Sequence, residues 1–269
     1  MKNNYVHGYS ARETLRLQEQ SGILEELLHS GTEYPPGSKV LEGGCGVGGQ
    51  TVVLARRSPQ AVFTSVDISS ASLAEAKKVA TEKGLSNVRF QEADIMDLPF
   101  GEGSFDHVFV CFVIEHLGDP VGALAGLKRV LRPGGSITVI EGDHGSCFWH
   151  PETEESVQVW RSLITVQALL GHDPLIGRGL YPLLSDAGFE IKDVSPKWVY
   201  ADAQNPVLMD GMVNKIIVPM VQTAREKALE MGIVDKSTWE KGIADLERSG
   251  MPPDGTFFYT WFKAVGLKP

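Results

Sequence analysis

The chain has 269 residues, 42% of them hydrophobic and 22% charged, with a formal net charge of −9. These are ordinary values for a folded globular protein, and the acidic balance offers no electrostatic footprint for DNA or RNA. Cys45, Cys111 and Cys147 form no C-x-x-C pair, so neither a zinc site nor a disulfide framework is indicated.

From the N-terminus, Ser10 and Glu13 have capping-box spacing, which predicts a helix from Ala11. Leucines 15, 17, 24, 27 and 28 recur on one side, Gly22 is a candidate break and Gly31 a stop. No apolar core of a signal peptide is present and no run reaches membrane-spanning length, so a cytoplasmic chain without a membrane partner is expected. From Lys39 the pattern alternates. "KVLEGG", "AVFTSVD", "NVRFQEAD", "FDHVFVCF" and "SITVIEGD" read as five strands. Between them "GGQTVVLARRS", "SSASLAEAKKVATEKG" and "DPVGALAGLKRVLRPGG" read as helices, the last ended by Pro133-Gly134-Gly135. Further on, "PETEESVQVWRSLITVQALLGH" suits a helix and "GRGLYPLLSDAGFEIKDVSP" a helix followed by a sixth strand. Residues 197–254 read as two or more helices, and "TFFYTWFKAVGLK" as a seventh strand. Strands alternating with helices predict an α/β fold with a largely parallel sheet.

Ligands of such sheets bind where strands end, so the strand-to-loop junctions are the places to look. After the first strand, Gly44-Cys45-Gly46-Val47-Gly48-Gly49 satisfies G-x-G-x-x-G, a turn whose glycines let backbone approach a ligand. Asp67 ends the second strand about 20 residues later, where an acid can accept hydrogen bonds from both ribose hydroxyls. These two junctions leave NAD and S-adenosylmethionine equally open.

The next junctions separate them. "ADIMDLPFGEGSFDHVFVCFVIEHLGDPVGALAGLKRVLRPGG" resembles the core of class I S-adenosylmethionine-dependent methyltransferases. It is most similar to the branch with the ubiquinone/menaquinone-type and other small-molecule enzymes. Glu42 before Gly44 also matches, and the likeness runs from Val40 to Asp143. Gly43 departs from it, standing where the family has an apolar side chain, and predicts a loss of packing beneath the turn.

The resemblance implies a Rossmann-like, seven-stranded sheet with helices on both faces and a helical cap. It divides the chain into an N-terminal lid (1–36), a core (37–196), a cap insertion (197–255) and a last core strand (256–269). It implies that Glu42 and the turn of Gly44, Cys45, Gly46 and Gly48 cradle the methionine part of S-adenosylmethionine. Asp67 would hold the ribose, Ile68 would pack on the adenine, the Ile95 backbone would read the ring edge, Asp94 would take its amino group, and the Cys111 carbonyl the ammonium. Tyr5, Tyr9, Arg12 and Arg16 in the lid are candidates to close over the cofactor, Tyr9 by an aromatic face toward the sulfonium and Arg16 or Arg12 toward the carboxylate. As bases, Glu115, His116, Glu141, Asp143, His144 and His150 are available, with His116 and His144 the leading pair.

The fourth strand lacks the N/D-P-P-Y of amino-methylating DNA and protein enzymes, and no Pro-Cys nucleophile is present. A small-molecule acceptor is therefore expected, with neither a resident metal nor nucleic acid. The state, monomer or homodimer, stays open. A non-catalytic S-adenosylmethionine- or S-adenosylhomocysteine-binding protein and an NAD-type oxidoreductase are the alternatives. Met209, Met212 and Met220 fit either a roof over the acceptor or plain core.

Overall fold

The structure is a computed structural model, and it describes residues 20, 22–251 and 253–269. The expected capped helix at Ser10 and the candidates Tyr5, Tyr9, Arg12 and Arg16 lie outside these residues. Two compact units are present. The larger comprises Leu24–Gly142, Leu175–Lys197 and Trp261–Pro269; the smaller comprises Asp143–Pro174 and Trp198–Thr260, with the described residues up to Ile23.

The strands are β1 (Lys39–Gly43), β2 (Val62–Asp67), β3 (Val88–Glu92), β4 (Phe105–Cys111), β5 (Leu131–His150), β6 (Glu190–Ala201) and β7 (Thr256–Leu267). They join in the order β3-β2-β1-β4-β5-β7-β6. Strands β3 through β5 pair in parallel. At the other side Gly134 N donates to Lys268 O and Lys268 N to Gly135 O, so the end of β7 meets the start of β5 and the two run antiparallel. The order turns back between β1 and β4, the switch point where open α/β sheets bind their ligands.

Residues 22–29 are helical (α1), and Gly31 in the larger unit follows at φ +72°, the expected stop. Helices α2 (Gly49–Arg57), α3 (Ser70–Glu82) and α4 (Pro120–Val130) fill the crossovers. Each start has a local cause. Ser69 Oγ accepts from Ser72 N at α3, while Asp119 accepts from Gly122 N at α4, where Pro120 supplies a preset φ. Nearly every residue of β1 and the last four of β4 are buried, as parallel strands covered on both faces must be. One apolar core gathers Leu41, Val108, Val110 and Val139 with Leu124 and Leu127 of α4 and Leu180 and Leu184 of α6 (Leu180–Asp186).

Two expectations need correcting here. The helix before the fifth strand ends at Val130, ahead of Pro133-Gly134-Gly135, and β5 extends well beyond "SITVIEGD" in both directions. The breaker instead interrupts strand pairing: Phe105 faces Leu131, but His107 faces Ser136, so the proline and glycines bulge out. Gly134 there has φ +73°. Gly43 leaves no packing gap either, because Ile95 Cδ1 lies 3.0 Å from where a Cβ would stand.

In the smaller unit, α5 (Glu154–Leu169) opens with a reciprocal cap between Thr153 and Ser156 and packs against α10 (Lys236–Ser249). Their contact is close. A Cβ on Gly242 would lie 2.3 Å from Glu155 O. The run expected as helix between Asn205 and Gly232 is divided into α7 (Pro206–Asp210), a π-helical stretch (Gly211–Ile217), α8 (Val218–Thr223) and α9 (Arg225–Glu230). Pro219 has no N–H to continue an α ladder, and the widened turns come just before it. Met209, Met212 and Met220 are buried. Strand β6 runs to Ala201, beyond the start expected for the helical insertion. No helix among the described residues is long and apolar enough to cross a membrane.

Candidate functional site

The glycine turn leaves β1 at the switch point, and its glycines differ in what they do. Gly44 has φ +69°, and a Cβ there would stand 2.4 Å from Val113 Cγ2. Gly48 has φ +83°, and its Cβ would meet Ala76 Cβ of α3 at 3.1 Å. Gly46 has φ +51° and nothing within 4 Å of its Cβ position, so its backbone borders open space. Cys45 N donates to Val66 O and Gly48 N to Cys45 O, tying the turn to β2 and closing it on itself.

Glu42 lies beneath this turn, 2% exposed. Its Oε2 accepts from Thr51 Oγ1 of α2 and Ser65 Oγ of β2, both at 2.6 Å. Burial pushes its carboxyl up to about 7, the two hydroxyls partly offset this, and Asp67 adds to the rise. Asp67 ends β2 only half-buried. Its Oδ2 accepts from Gly46 N and its Oδ1 from Ser69 N, each at 2.8 Å. Burial raises its pKa, while the Ser69, Gly46 and Ile68 amides pull it down. Ile68 follows with its apolar side chain 51% exposed.

After β3, Asp94 is exposed and its Oδ1 accepts from Met96 N, forming an Asx turn. The Ile95 side chain is buried and Met96 is exposed. The ends of β2 and β3 thus carry bare apolar groups beside acidic ones.

The Cys45 and Cys111 thiols are buried and burial drives both well upward, so neither is a nucleophile at neutral pH. Beyond Cys111, Phe112 has φ +59°, and Phe112 N donates to Ile140 O. Glu141 at β5 is fully buried, and its Oε1 accepts from Val113 N at 3.0 Å and Ile114 N at 2.8 Å. Burial and the neighbouring Glu115 carboxylate hold the Glu141 carboxyl well above its ordinary range, which the Val113, Ile114 and Glu115 amides only partly counter. His116 sits in a short 3-10 turn (Ile114–His116), with its Nε2 3.5 Å from Glu115 Oε1.

His144 belongs to the smaller unit and is 4% exposed. Its Nδ1 shares a 2.5 Å hydrogen bond with Tyr259 Oη, its ring meets Trp160 edge-on, and its carbonyl accepts from Trp160 Nε1. Asp143 Oδ2 accepts from Ser146 Oγ. His150 precedes a cis peptide bond to Pro151. Within the larger unit the fold brings together Glu42, Gly44, Cys45, Gly46, Gly48 and Asp67. The ends of β3 and β4 hold Asp94, Ile95 and Cys111. The inward partners Thr51 and Ser65, the φ of Phe112 and the bonds of Glu141 escaped sequence reading; no spacing rule marks them.

A sheet whose strand order reverses between β1 and β4, with a glycine turn after one strand and an acid ending the next, has the layout in which open α/β proteins bind ligands. Comparison with known proteins narrows this. The family described as "Methyltransferase domain" matches residues 41–139. An O-methyltransferase of Penicillium expansum is 32% identical over 201 residues, 72% of this chain and 68% of that one. Demethylmenaquinone methyltransferase of Thermus thermophilus is 39% identical over 103 residues, 38% of this chain and 46% of the relative, so the match spans about half its length. In fold, the chain is similar to geranyl diphosphate C-methyltransferase from Streptomyces coelicolor, solved with S-adenosyl-L-homocysteine, at a TM-score of 0.53 and 17% identity, covering 93% of this chain and 78% of that one. The chain belongs to the methyltransferase family, and its fold is the Rossmann-like one of S-adenosylmethionine-dependent enzymes.

Proposed function

We propose that the glycine turn and the ends of β2 and β3 seat S-adenosylmethionine, from which the chain methylates a small-molecule acceptor. The observation that carries this is the junction of Gly46 and Asp67. Open space lies over Gly46, a half-buried carboxylate is fixed beside it by two amides, and exposed Ile68 follows. That combination fits a ribose diol next to an apolar ring. It fits a pyrophosphate poorly, because Gly46 N already donates to Asp67 Oδ2 and is not free for a phosphate oxygen.

When bound, S-adenosylmethionine supplies a methyl group already activated for in-line displacement. The chain's own work is then alignment and exclusion of water. In this reading Asp67 accepts from the ribose hydroxyls, Ile68 packs on the adenine, the Ile95 backbone reads the ring edge, Asp94 accepts from its amino group, and the Cys111 carbonyl accepts from the ammonium. Glu42 supports the turn from beneath. Tyr9 and Arg16 close from the lid. Of the two candidate bases, His116 stands after β4, near the cofactor strands. His144 is held by Tyr259 and Trp160 as a packed core residue is. The segments 1–36, 37–196, 197–255 and 256–269 serve as lid, core, cap and final strand. Three buried free cysteines suit a reducing, cytoplasmic setting.

Calorimetry with S-adenosylhomocysteine and with NAD tests the cofactor. The first is expected to bind and the second not, with Asp67→Ala abolishing the signal while circular dichroism stays native. Binding of NAD alone, or undiminished binding by Asp67→Ala, refutes the assignment. Transfer of labelled methyl groups to a metabolite extract separates an enzyme from a protein that only binds.

A further inference from the structure

Glu141 has no part in the cofactor seat described above, yet it is the most deeply buried carboxyl near it. It sits where β5 passes beside the end of β4, and its Oε1 takes the amides of both Val113 and Ile114. Just before those amides lies Phe112, the only non-glycine at positive φ among the described residues. A left-handed phenylalanine is strained and persists only where its surroundings enforce it. Two bonds to Glu141 and one from Phe112 N to Ile140 O provide that enforcement. The held turn in turn places Val113 against Gly44, so tightly that no Cβ fits between them.

We propose that Glu141 is a positioning residue for methyl transfer: its carboxyl clamps the strained turn after β4 and, through Val113, fixes the glycine turn that seats the cofactor. The proposal rests on the reading of that turn as the cofactor seat. The clamp needs only one acceptor oxygen, Oε1, which takes both amides, and burial and Glu115 shift the carboxyl upward. Glutamine therefore reproduces it, whereas leucine keeps the volume and removes the acceptor.

The test uses the full chain carrying Glu141→Gln or Glu141→Leu, each also with Phe112→Gly. S-adenosylhomocysteine affinity is read by calorimetry, and hydrogen exchange at Val113 and Ile114 by NMR. Glu141→Gln is expected within about threefold of wild type, and Glu141→Leu weaker by about tenfold or more with native circular dichroism, because two buried amides lose their acceptor. Exchange at Val113 and Ile114 should quicken in Glu141→Leu. Its affinity loss should shrink in the Phe112→Gly background, where positive φ is no longer strained. Wild-type affinity in folded Glu141→Leu overturns the proposal. So does an equal loss in Glu141→Gln, or a loss unaltered by Phe112→Gly. Should Glu141→Leu fail to fold, Glu141→Gln alone decides: exchange or affinity far from wild type overturns the clamp. Failure of wild type to bind S-adenosylhomocysteine removes the cofactor reading instead, and the exchange data then judge the clamp alone.

Discussion

The glycines of the turn after β1 are interchangeable in a motif but not in the structure, and alanine at Gly44 and at Gly46 separates their roles. Both have positive φ, so each alanine incurs about 1–2 kcal/mol of left-handed strain, offset by about 0.4–1 kcal/mol from the stiffer unfolded chain. At Gly44 the new Cβ also falls 2.4 Å from Val113 Cγ2 and 2.9 Å from its Cγ1. Relieving that overlap against a clamped loop adds about 1–3 kcal/mol. Gly44→Ala should therefore lose about 1–5 kcal/mol, or about 2–10 °C of Tm at roughly 2 °C per kcal/mol for a long chain. Gly46→Ala meets no atom within 4 Å and should lose about 1 kcal/mol or less. Its methyl instead projects into the space assigned to the cofactor, so S-adenosylhomocysteine affinity should fall about tenfold or more, equivalent to about 1.4 kcal/mol. Differential scanning calorimetry and binding titration on both variants measure the two quantities. Equal Tm losses, or an affinity loss confined to Gly44→Ala, would refute the division of labour.

Three further outcomes follow from other contacts. Glu42 is raised from 4.5 to about 7, so the folded chain holds an extra proton between those values; the stability this brings is complete below pH 4.5 and lost as pH rises through 7. Glu42→Gln, permanently neutral, should flatten that part of the stability curve by at most about 3 kcal/mol, and parallel urea titrations of the two proteins across the window would reveal an unchanged slope if the argument fails. Gly242→Ala places a Cβ 2.3 Å from Glu155 O, a backbone atom that cannot turn aside, and should cost about 2 kcal/mol or more by thermal unfolding; near-native stability would mean α5 and α10 separate freely. Thr153→Ala removes both the α5 cap and the hydroxyl donated to Asp245 Oδ2, and a loss of about 1–2 kcal/mol by the same measurement is expected, a loss near zero being the contrary result.

The strand junctions were legible because parallel strands and their crossover helices leave strong local signals: Gly44–Gly48 opens α2, Ser69 caps α3 and Asp119-Pro120 starts α4. The length of β5 was not, because Pro133-Gly134-Gly135 has the composition of a stop and only the register shows a bulge. The π turns before Pro219 were equally hidden, since the apolar spacing there suits an ordinary helix. In the site, Asp67 could be anticipated from its distance to the glycines. Phe112 could not, because nothing in its local composition announces a left-handed residue, and the amides taken by Glu141 lie 27 and 28 positions away in sequence.

That contrast has a physical origin in how the acids at the strand ends are divided. Glu42, next to last in β1, and Glu141, midway along β5, are 2% and 0% exposed, and both direct oxygens to partners inside the fold. Burial raises both; Glu42 accepts from the Thr51 and Ser65 hydroxyls, and Glu141 from two backbone amides of the turn after β4. Asp67 is half-buried and, with an amide on each oxygen, keeps further acceptor capacity. In the proposed cofactor reading a carboxylate of that kind suits the paired ribose hydroxyls, whereas the two buried acids brace neighbouring parts of the fold. A motif that weighs Glu42 and Asp67 alike as ligand contacts therefore merges two tasks. Substituting Glu42 should disturb the turn and its pH response, whereas substituting Asp67 should remove affinity first.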